Sequence, residues 1–232
     1  MSEYSKYLDE IIKLDENQKN KLDLYFKILE ESSKHMNLTT ITAELDVYIK
    51  HFYDSILVLL KEENIDNLHL LDIGSGAGLP GIVLKIAYPK LNITLLDATK
   101  KRCDFLETVI EKLELDGINV ICDRAENYVT KARETYDIVT ARAVAPLNIL
   151  LELSMPFVKI GGKFLAMKGQ NYQVELDLSA NSISILGGKI TNKYLYKLPL
   201  SDSLRCIIEV KKTKKTPNTY PRSYAKIKQK PL

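Results

Sequence analysis

Two hydrophobic rhythms divide this chain. Up to about residue 65 the apolar positions recur with helical spacing. Leu22, Tyr25, Phe26 and Leu29 form an i, i+3, i+4, i+7 stripe, and Ile56, Leu57, Leu59 and Leu60 mark a second apolar helix. Between them Met36-Asn37-Leu38-Thr39-Thr40-Ile41 is a polar break rich in helix-capping residue types. From residue 68 short apolar runs alternate with helix-length segments. The runs predict strands over 68–73, 92–97, 118–122, 136–141, 163–168, 183–190 and 205–212, and helices over 79–88, 100–114, about 145–158 and 172–181. Such alternation implies an α/β fold, a seven-stranded and mostly parallel sheet with helices on both faces. The last two strands have no helix-length segment between them, so they should pair antiparallel. The expected organisation is an N-terminal helical extension over 1–65 packed on a main domain over 66–232.

At 232 residues the chain can bury one sizeable core, or one core with an added lobe. The polar N-terminus has no signal-peptide core, and no apolar run reaches membrane-spanning length, so a cytoplasmic protein is expected. Cys103, Cys122 and Cys206 are widely separated, which fits a reducing compartment and offers no disulfide framework. With His35, His51 and His69 also scattered, no metal centre is expected. Charge is uneven. Residues 1–63 carry 8 Lys/Arg and 13 Asp/Glu, net −5, whereas residues 193–232 carry 11 and 2, net +9. A basic end on a nearly neutral chain fits either a polyanionic partner or a solvated tail.

The chemistry concentrates where the first strand ends. Leu70-Leu71-Asp72-Ile73 runs into Gly74-Ser75-Gly76-Ala77-Gly78-Leu79-Pro80-Gly81, and the next apolar run, Ile93-Thr94-Leu95-Leu96, ends at Asp97. A glycine loop after one strand and an acid after the next make the cleft of a nucleotide-type cofactor. No Gly-Lys-Ser/Thr follows the loop, which argues against phosphate binding of the Walker type. A dinucleotide loop of the form GxGxxG would need glycine where Leu79 stands. The spacing Asp-x-Gly-x-Gly-x-Gly instead resembles motif I of S-adenosylmethionine-dependent methyltransferases, and the strand pattern resembles their class I, Rossmann-like sheet. That resemblance implies a cofactor site built from Asp72, Gly74, Gly76, Gly78 and Leu79, with Asp97 accepting hydrogen bonds from ribose hydroxyls. After the third strand comes Cys122-Asp123-Arg124-Ala125-Glu126, where an acid either meets the adenine, as the resemblance implies, or caps a helix. Arg142, directly after the fourth strand, is awkward in a core and is expected at the crevice.

The end of the fourth strand restricts the acceptor. It reads Ala141-Arg142-Ala143-Val144 and lacks the Asn/Asp-Pro-Pro-aromatic motif typical of exocyclic-amine methylation. Methylation of pyrimidine C5 needs a cysteine nucleophile, and none falls at a suitable strand end. An acceptor with an available lone pair, such as guanine N7, needs no general base, only positioning and electrostatics.

The chain as a whole resembles the GidB (RsmG) family of bacterial small-subunit (16S) ribosomal RNA guanine-N7 methyltransferases. The likeness is carried by Met36-Asn37-Leu38-Thr39, His51-Phe52-Tyr53-Asp54-Ser55, the loop from Asp72 to Gly81, Asp97 with Lys100-Lys101-Arg102, Arg124-Ala125-Glu126, Ala141-Arg142-Ala143, Lys168-Gly169 and Tyr220-Pro221-Arg222. It implies that Gly74 and Leu79 line the S-adenosyl-L-methionine site, that Ala125 and Glu126 sit by the adenine, and that Arg142 lies between cofactor and substrate. Lys101, Arg102, Lys168 and Arg222 are then either RNA-facing cations or ordinary surface charges. Asn37 and His51 either reach the acceptor, as catalytic candidates beside Arg142, or serve as a cap and a satisfied polar residue. The implied partner is small-subunit ribosomal RNA or the small ribosomal subunit, with no membrane, no stable protein partner and a monomeric enzyme. After Arg222 the family's glycine is missing, although Pro231-Leu232 closes the chain as the family does. Two other readings remain open at this point, an NAD-dependent oxidoreductase using the same glycine turn and a non-catalytic RNA-binding protein with a methyltransferase-like fold.

Overall fold

In the computed structural model, which describes residues 2–232, the apolar runs become seven strands of one sheet. They are β1 (His69–Ile73), β2 (Asn92–Asp97), β3 (Ile118–Cys122), β4 (Tyr136–Arg142), β5 (Val158–Lys168), β6 (Gly188–Lys197) and β7 (Leu204–Lys212). Their order is β3-β2-β1-β4-β5-β7-β6. β1 through β5 run parallel, while β7 lies antiparallel to both β5 and β6. The antiparallel ending is therefore as expected. The chain leaves β1 toward β2 and β3, then crosses back to β4 on β1's other side. Loops after strands that diverge in this way open a crevice at the carboxyl ends of β1 and β4.

Alternation along the strands supplies two cores. Leu70, Ile93, Leu95, Ile138 and Leu165 pack on one face, under Leu22, Tyr25, Phe26 and Leu29 of the Glu16–Met36 helix and Ile82 of the Gly81–Ala87 helix. Leu71, Val139, Phe164 and Ile208 pack on the other, under Leu147, Leu150 and Leu151 of the Leu147–Ser154 helix. The long N-terminal helix is started by a capping box. Asp15 Oδ1 accepts from Gln18 N at 2.8 Å and Gln18 Oε1 accepts from Asp15 N at 2.9 Å. The same Gln18 donates from Nε2 to the Ile86 and Ala87 carbonyls at 2.8 and 3.1 Å, fastening this helix to the end of the one behind the glycine loop. Among the described residues no helix is long and apolar enough to cross a membrane.

Several elements differ from the sequence expectation. The strand expected over 183–190 is β6 at Gly188–Lys197, and Ala180–Ile185 is helical. Ile183 and Leu186 are buried three positions apart, a helical spacing, and Gly187, at φ +79°, ends the turn. β6 itself is a sheet edge whose exposed lysines mask its alternation. A helix at Ala125–Ala132, absent from the expectation, buries Ala125, Val129 and Ala132. The expected 145–158 helix is Leu147–Ser154 followed by a 3-10 turn, and β5 already begins at Val158. The expected 172–181 helix is broken into Tyr172–Asp177 and Ala180–Ile185.

Arg222, expected as either an RNA-facing cation or an ordinary surface charge, is clamped on Glu152. Its backbone N and Nε donate to Glu152 Oε1, both at 2.8 Å, and Nη2 donates to Oε2 at 2.6 Å. Glu152 sits fully buried in the apolar Leu147–Ser154 helix, and among the described residues Arg222 is the cation that compensates its charge. The clamp, with Ile227 in the core and Ser182 Oγ donating to the Leu232 carbonyl at 2.9 Å, holds the C-terminal segment on the sheet's second face. Arg222→Ala leaves Glu152 buried without its cation. It is expected to cost about 3–5 kcal/mol of stability in urea denaturation, whereas a surface cation would cost almost nothing.

Candidate active site

The glycine loop leaves β1 through backbone that only glycine adopts easily. Gly74 sits at φ +68°, and a Cβ there would lie 2.6 Å from Val144 Cγ2. The loop is closed from within: Gly74 N donates to the Leu96 carbonyl at 2.7 Å and Gly78 N to the Ser75 carbonyl at 2.7 Å. Beneath it Asp72, fully buried, accepts from Gly81 N through Oδ2 at 3.0 Å, while Oδ1 has no partner. A Cβ on Gly81 would meet Leu95 Cδ2 at 2.3 Å and Asp72 Oδ2 at 2.9 Å, so helix and strand touch there. Asp72 thus holds the turn from below instead of lining the crevice. From the N-terminal helix Tyr25 donates its hydroxyl to the Ala77 carbonyl at 2.5 Å. Sequence alone offered Tyr25 as one member of an apolar stripe.

Asp97 closes the next strand. Oδ2 accepts from Gly76 N at 3.0 Å and Oδ1 from Thr99 N at 2.8 Å, with Arg102 Nη1 3.6 Å from Oδ2. The carboxylate therefore ties the glycine loop to the end of β2 while still lining a cavity of about 160 Å³ with Ala98, Asp123, Ala125, Glu126 and Tyr224. Asp123 Oδ1 accepts from Arg124 N at 2.7 Å and Asn127 Nδ2 at 3.1 Å.

A second cavity, about 190 Å³, lies over Gly74, Gly76 and Leu79, with His51, Arg102, Arg142 and Ala143 on its walls. A third, about 550 Å³, opens beyond it and is lined among others by Lys50, His51, Asp54, Arg142, Lys168, Glu175 and Arg205. Gly74 is common to the first two cavities, and His51, Arg142 and Ala143 to the last two. The three cavities adjoin through these shared residues, and Val144 lies on the walls of both the first and the third.

Arg142 is aimed by the N-terminal extension. Nη1 donates to the Lys50 carbonyl at 3.2 Å and to Asp54 Oδ2 at 3.3 Å, and Nη2 lies 3.3 Å from His51 Nδ1. Asp54 is buried, and its Oδ1 accepts from Tyr196 Oη at 2.8 Å with Arg205 Nε 3.9 Å away. Both His51 and Asp54 are set by a π-helical turn, Tyr48–Tyr53, that interrupts Glu44–Val47 and Asp54–Leu57. Burial, and then the Arg142 charge, push the His51 imidazole down to about 4, so it is neutral at physiological pH. Its Nε2 lies 3.0 Å from Thr39 Oγ1. At the end of β4 Ala143 adopts φ 57°, an arrangement costing about 1–2 kcal/mol for a residue with Cβ. The turn carries Val144 over Gly74.

The other expected residues separate. Lys168 lines the large cavity, its Nζ 2.7 Å from Glu175 Oε2 and donating to the Ala145 carbonyl at 2.8 Å. Lys101 is exposed on the Lys100–Lys112 helix. Asn37 is the left-handed C-cap of Glu16–Met36, φ 47°, and lines none of the three cavities. Tyr196, Arg205, Glu175 and Tyr224 were not singled out by sequence. Asp54 had a signal, its spacing from His51, but no role.

The model of the family described as "GidB: rRNA small subunit methyltransferase G" matches residues 18–198. Curated proteins named ribosomal RNA small subunit methyltransferase G are similar over almost their whole length. One from Leuconostoc mesenteroides is 43% identical over 225 residues, 95% of this chain and 94% of its own. One from Streptococcus pyogenes is 44% identical over 222 residues, 94% and 93%. Among solved structures, a SAM-dependent methyltransferase from Aquifex aeolicus aligns with TM-score 0.52 at 15% identity, covering 68% of this chain and 89% of its own. TYW2 of M. jannaschii in complex with AdoMet aligns with TM-score 0.53 at 12% identity, covering 70% and 76%. These likenesses establish the fold as that of class I methyltransferases.

Burial makes Asp72 a carboxyl that titrates at about 7, only partly offset by the Gly81 N–H, Arg142 and Ser75. The folded state then binds this proton more tightly than the unfolded chain. The contribution to stability is complete below the unfolded value of about 4 and is lost as pH rises through about 7. Asp72→Asn is expected to flatten this fall, measured as the difference between urea midpoints at pH 5 and pH 8; an unchanged difference contradicts the assignment.

Proposed function

The chain belongs to the GidB family, rRNA small subunit methyltransferase G, and from that premise we propose that it methylates N7 of a guanine in small-subunit (16S) ribosomal RNA. It is an rRNA methyltransferase dependent on S-adenosylmethionine, which removes the oxidoreductase reading. The observation that carries the proposal is the set of three adjoining cavities at the carboxyl ends of the strands, lined by Asp97, by the glycine loop, and by His51 and Arg142.

The residues present fit the cofactor. Gly74, Gly76 and Leu79 of the glycine loop line one cavity, the Asp97 carboxylate lines the adjoining one, and Ala125 and Glu126 wall it with Asp97. Asp97 would take the ribose hydroxyls, and the loop with Leu79 would hold the amino-acid part. S-adenosylmethionine supplies, when bound, a methyl carbon on a positively charged sulfur, which a purine N7 lone pair can take with departure of a neutral thioether.

The protein's share is placement. Arg142 presents guanidinium donors at the junction, suited to the O6 of guanine, which leaves the N7 lone pair free for the methyl carbon. Asp54 and the Lys50 carbonyl stop it from swinging away. His51 is neutral and adds no second cation where the base must enter. No residue at the junction needs to remove a proton, as guanine N7 carries none. Lys101 and Arg102, both exposed, are read as RNA-facing cations, contributing affinity and not sequence, whereas Lys168 is buried against Glu175 and the Ala145 carbonyl. Residues 1–65 are read as an extension that aims the site on the main domain over 66–232, and the enzyme as a cytoplasmic monomer.

The test is transfer of labelled methyl from S-adenosylmethionine to small-subunit ribosomal RNA or the assembled subunit, followed by nucleoside analysis. Label in 7-methylguanosine is expected. Label in another nucleoside, or in protein alone, overturns the proposal.

A further inference from the structure

We infer that Glu175 selects guanine at the acceptor position by accepting hydrogen bonds from its N1–H and 2-amino edge. This rests on the reading of the 550 Å³ cavity as the acceptor pocket. His51, Arg142 and Ala143 border the glycine-loop cavity as well, whereas Lys168 and Glu175 border the large cavity and neither of its neighbours. A purine whose N7 faces the methyl donor turns its N1 and C2 edge away from that donor and into the large cavity that Glu175 lines.

Two carboxylates line this cavity, and of these Glu175 is the one with an oxygen that has no partner among the described residues. Asp54 has both engaged, Oδ1 by Tyr196 at 2.8 Å and Oδ2 by Arg142 at 3.3 Å. Glu175 concentrates its partners on Oε2, which accepts from Leu147 N at 2.7 Å and lies 2.7 Å from Lys168 Nζ. Oε1 takes no hydrogen bond among the described residues, and the side chain is 26% exposed. The backbone amide and the lysine thus fix the carboxylate's direction and leave one acceptor pointing to solvent or ligand, the preorganisation a recognition group needs.

The chemistry selects guanine over its competitors. Guanine places two donors on this edge, N1–H and the 2-amino group. Adenine places the N1 lone pair there, which a carboxylate repels. Recognition also strengthens during the reaction. Alkylation at N7 puts positive charge on the ring and makes N1–H a better donor, so a carboxylate on that edge binds the transition state more tightly than the ground state. Glu175 so used touches the substrate but exchanges no proton with it.

The test compares guanosine with inosine, which lacks only the 2-amino group, placed by splint ligation at the methylated position of small-subunit RNA. The wild type is expected to favour guanosine by about 10-fold or more in kcat/KM. Glu175→Gln, which offers an amide donor in place of the acceptor, is expected to lose that preference while binding S-adenosylhomocysteine within about 2-fold of wild type. A merely structural role for Glu175 would lower both substrates together and keep their ratio. A wild type indifferent to inosine, measured without any variant, overturns the inference, as does a Glu175→Gln enzyme that keeps the full preference. No methylation of the guanosine RNA by wild type overturns the parent reading instead.

Discussion

The site depends on one ion pair. Asp54 and Arg142 are 88 positions apart in sequence and meet at 3.3 Å, joining the N-terminal extension to the end of β4. An arginine at that strand end could extend into solvent or fold over the sheet. Asp54 and the Lys50 carbonyl hold it at the boundary between the glycine-loop cavity and the larger one. Burial makes the pair consequential: a carboxylate this enclosed must have its partners, and removing either ion would strand the other. The pair also reaches the far side of the sheet. Tyr196, on the β6 edge strand, donates to the second oxygen of Asp54, and burial with that carboxylate keeps its phenol protonated.

Seen from this pair, the additions to the seven-stranded sheet have physical work. The N-terminal helices supply Tyr25 to the glycine loop and, through a π-helical turn, His51 and Asp54 to the junction. The β6–β7 hairpin supplies Tyr196 and Arg205. The C-terminal segment, clamped by Arg222 on Glu152, brings Tyr224 to the cavity around Asp97. Each places a side chain at the carboxyl ends of the parallel strands, where the topology already opens a crevice.

How much of this the sequence disclosed follows from how local each interaction is. β1, β2 and β3 were legible, being short apolar runs punctuated by glycine and acid. Gly74, Asp97 and Arg142 were legible because their types are awkward anywhere except a turn or a crevice. β6 was not, since an edge strand carrying lysines lacks a clean alternation and the Ile183-Ser184-Ile185 run before it imitates a strand. The Arg222 pairing is not legible because its partner lies 70 positions away, yet a glutamate in the apolar segment Leu147–Ser154 is a signal that some cation must come to it. Tyr196 lies 142 positions from Asp54, a contact no local pattern encodes. Asp72 reads as a site acid in the motif, whereas its burial under Gly81 makes it the support of the loop.

The central claim is that cofactor and acceptor occupy opposite sides of the His51–Arg142 junction. It is tested most directly by a crystal structure of this chain with S-adenosylhomocysteine bound. The account predicts ribose hydroxyls on the Asp97 carboxylate, the adenine against Ala125 and Glu126, and the thioether sulfur facing the opening beside Arg142. A cofactor lodged in the 550 Å³ cavity among Lys168, Glu175 and Arg205, with Asp97 untouched, would contradict it.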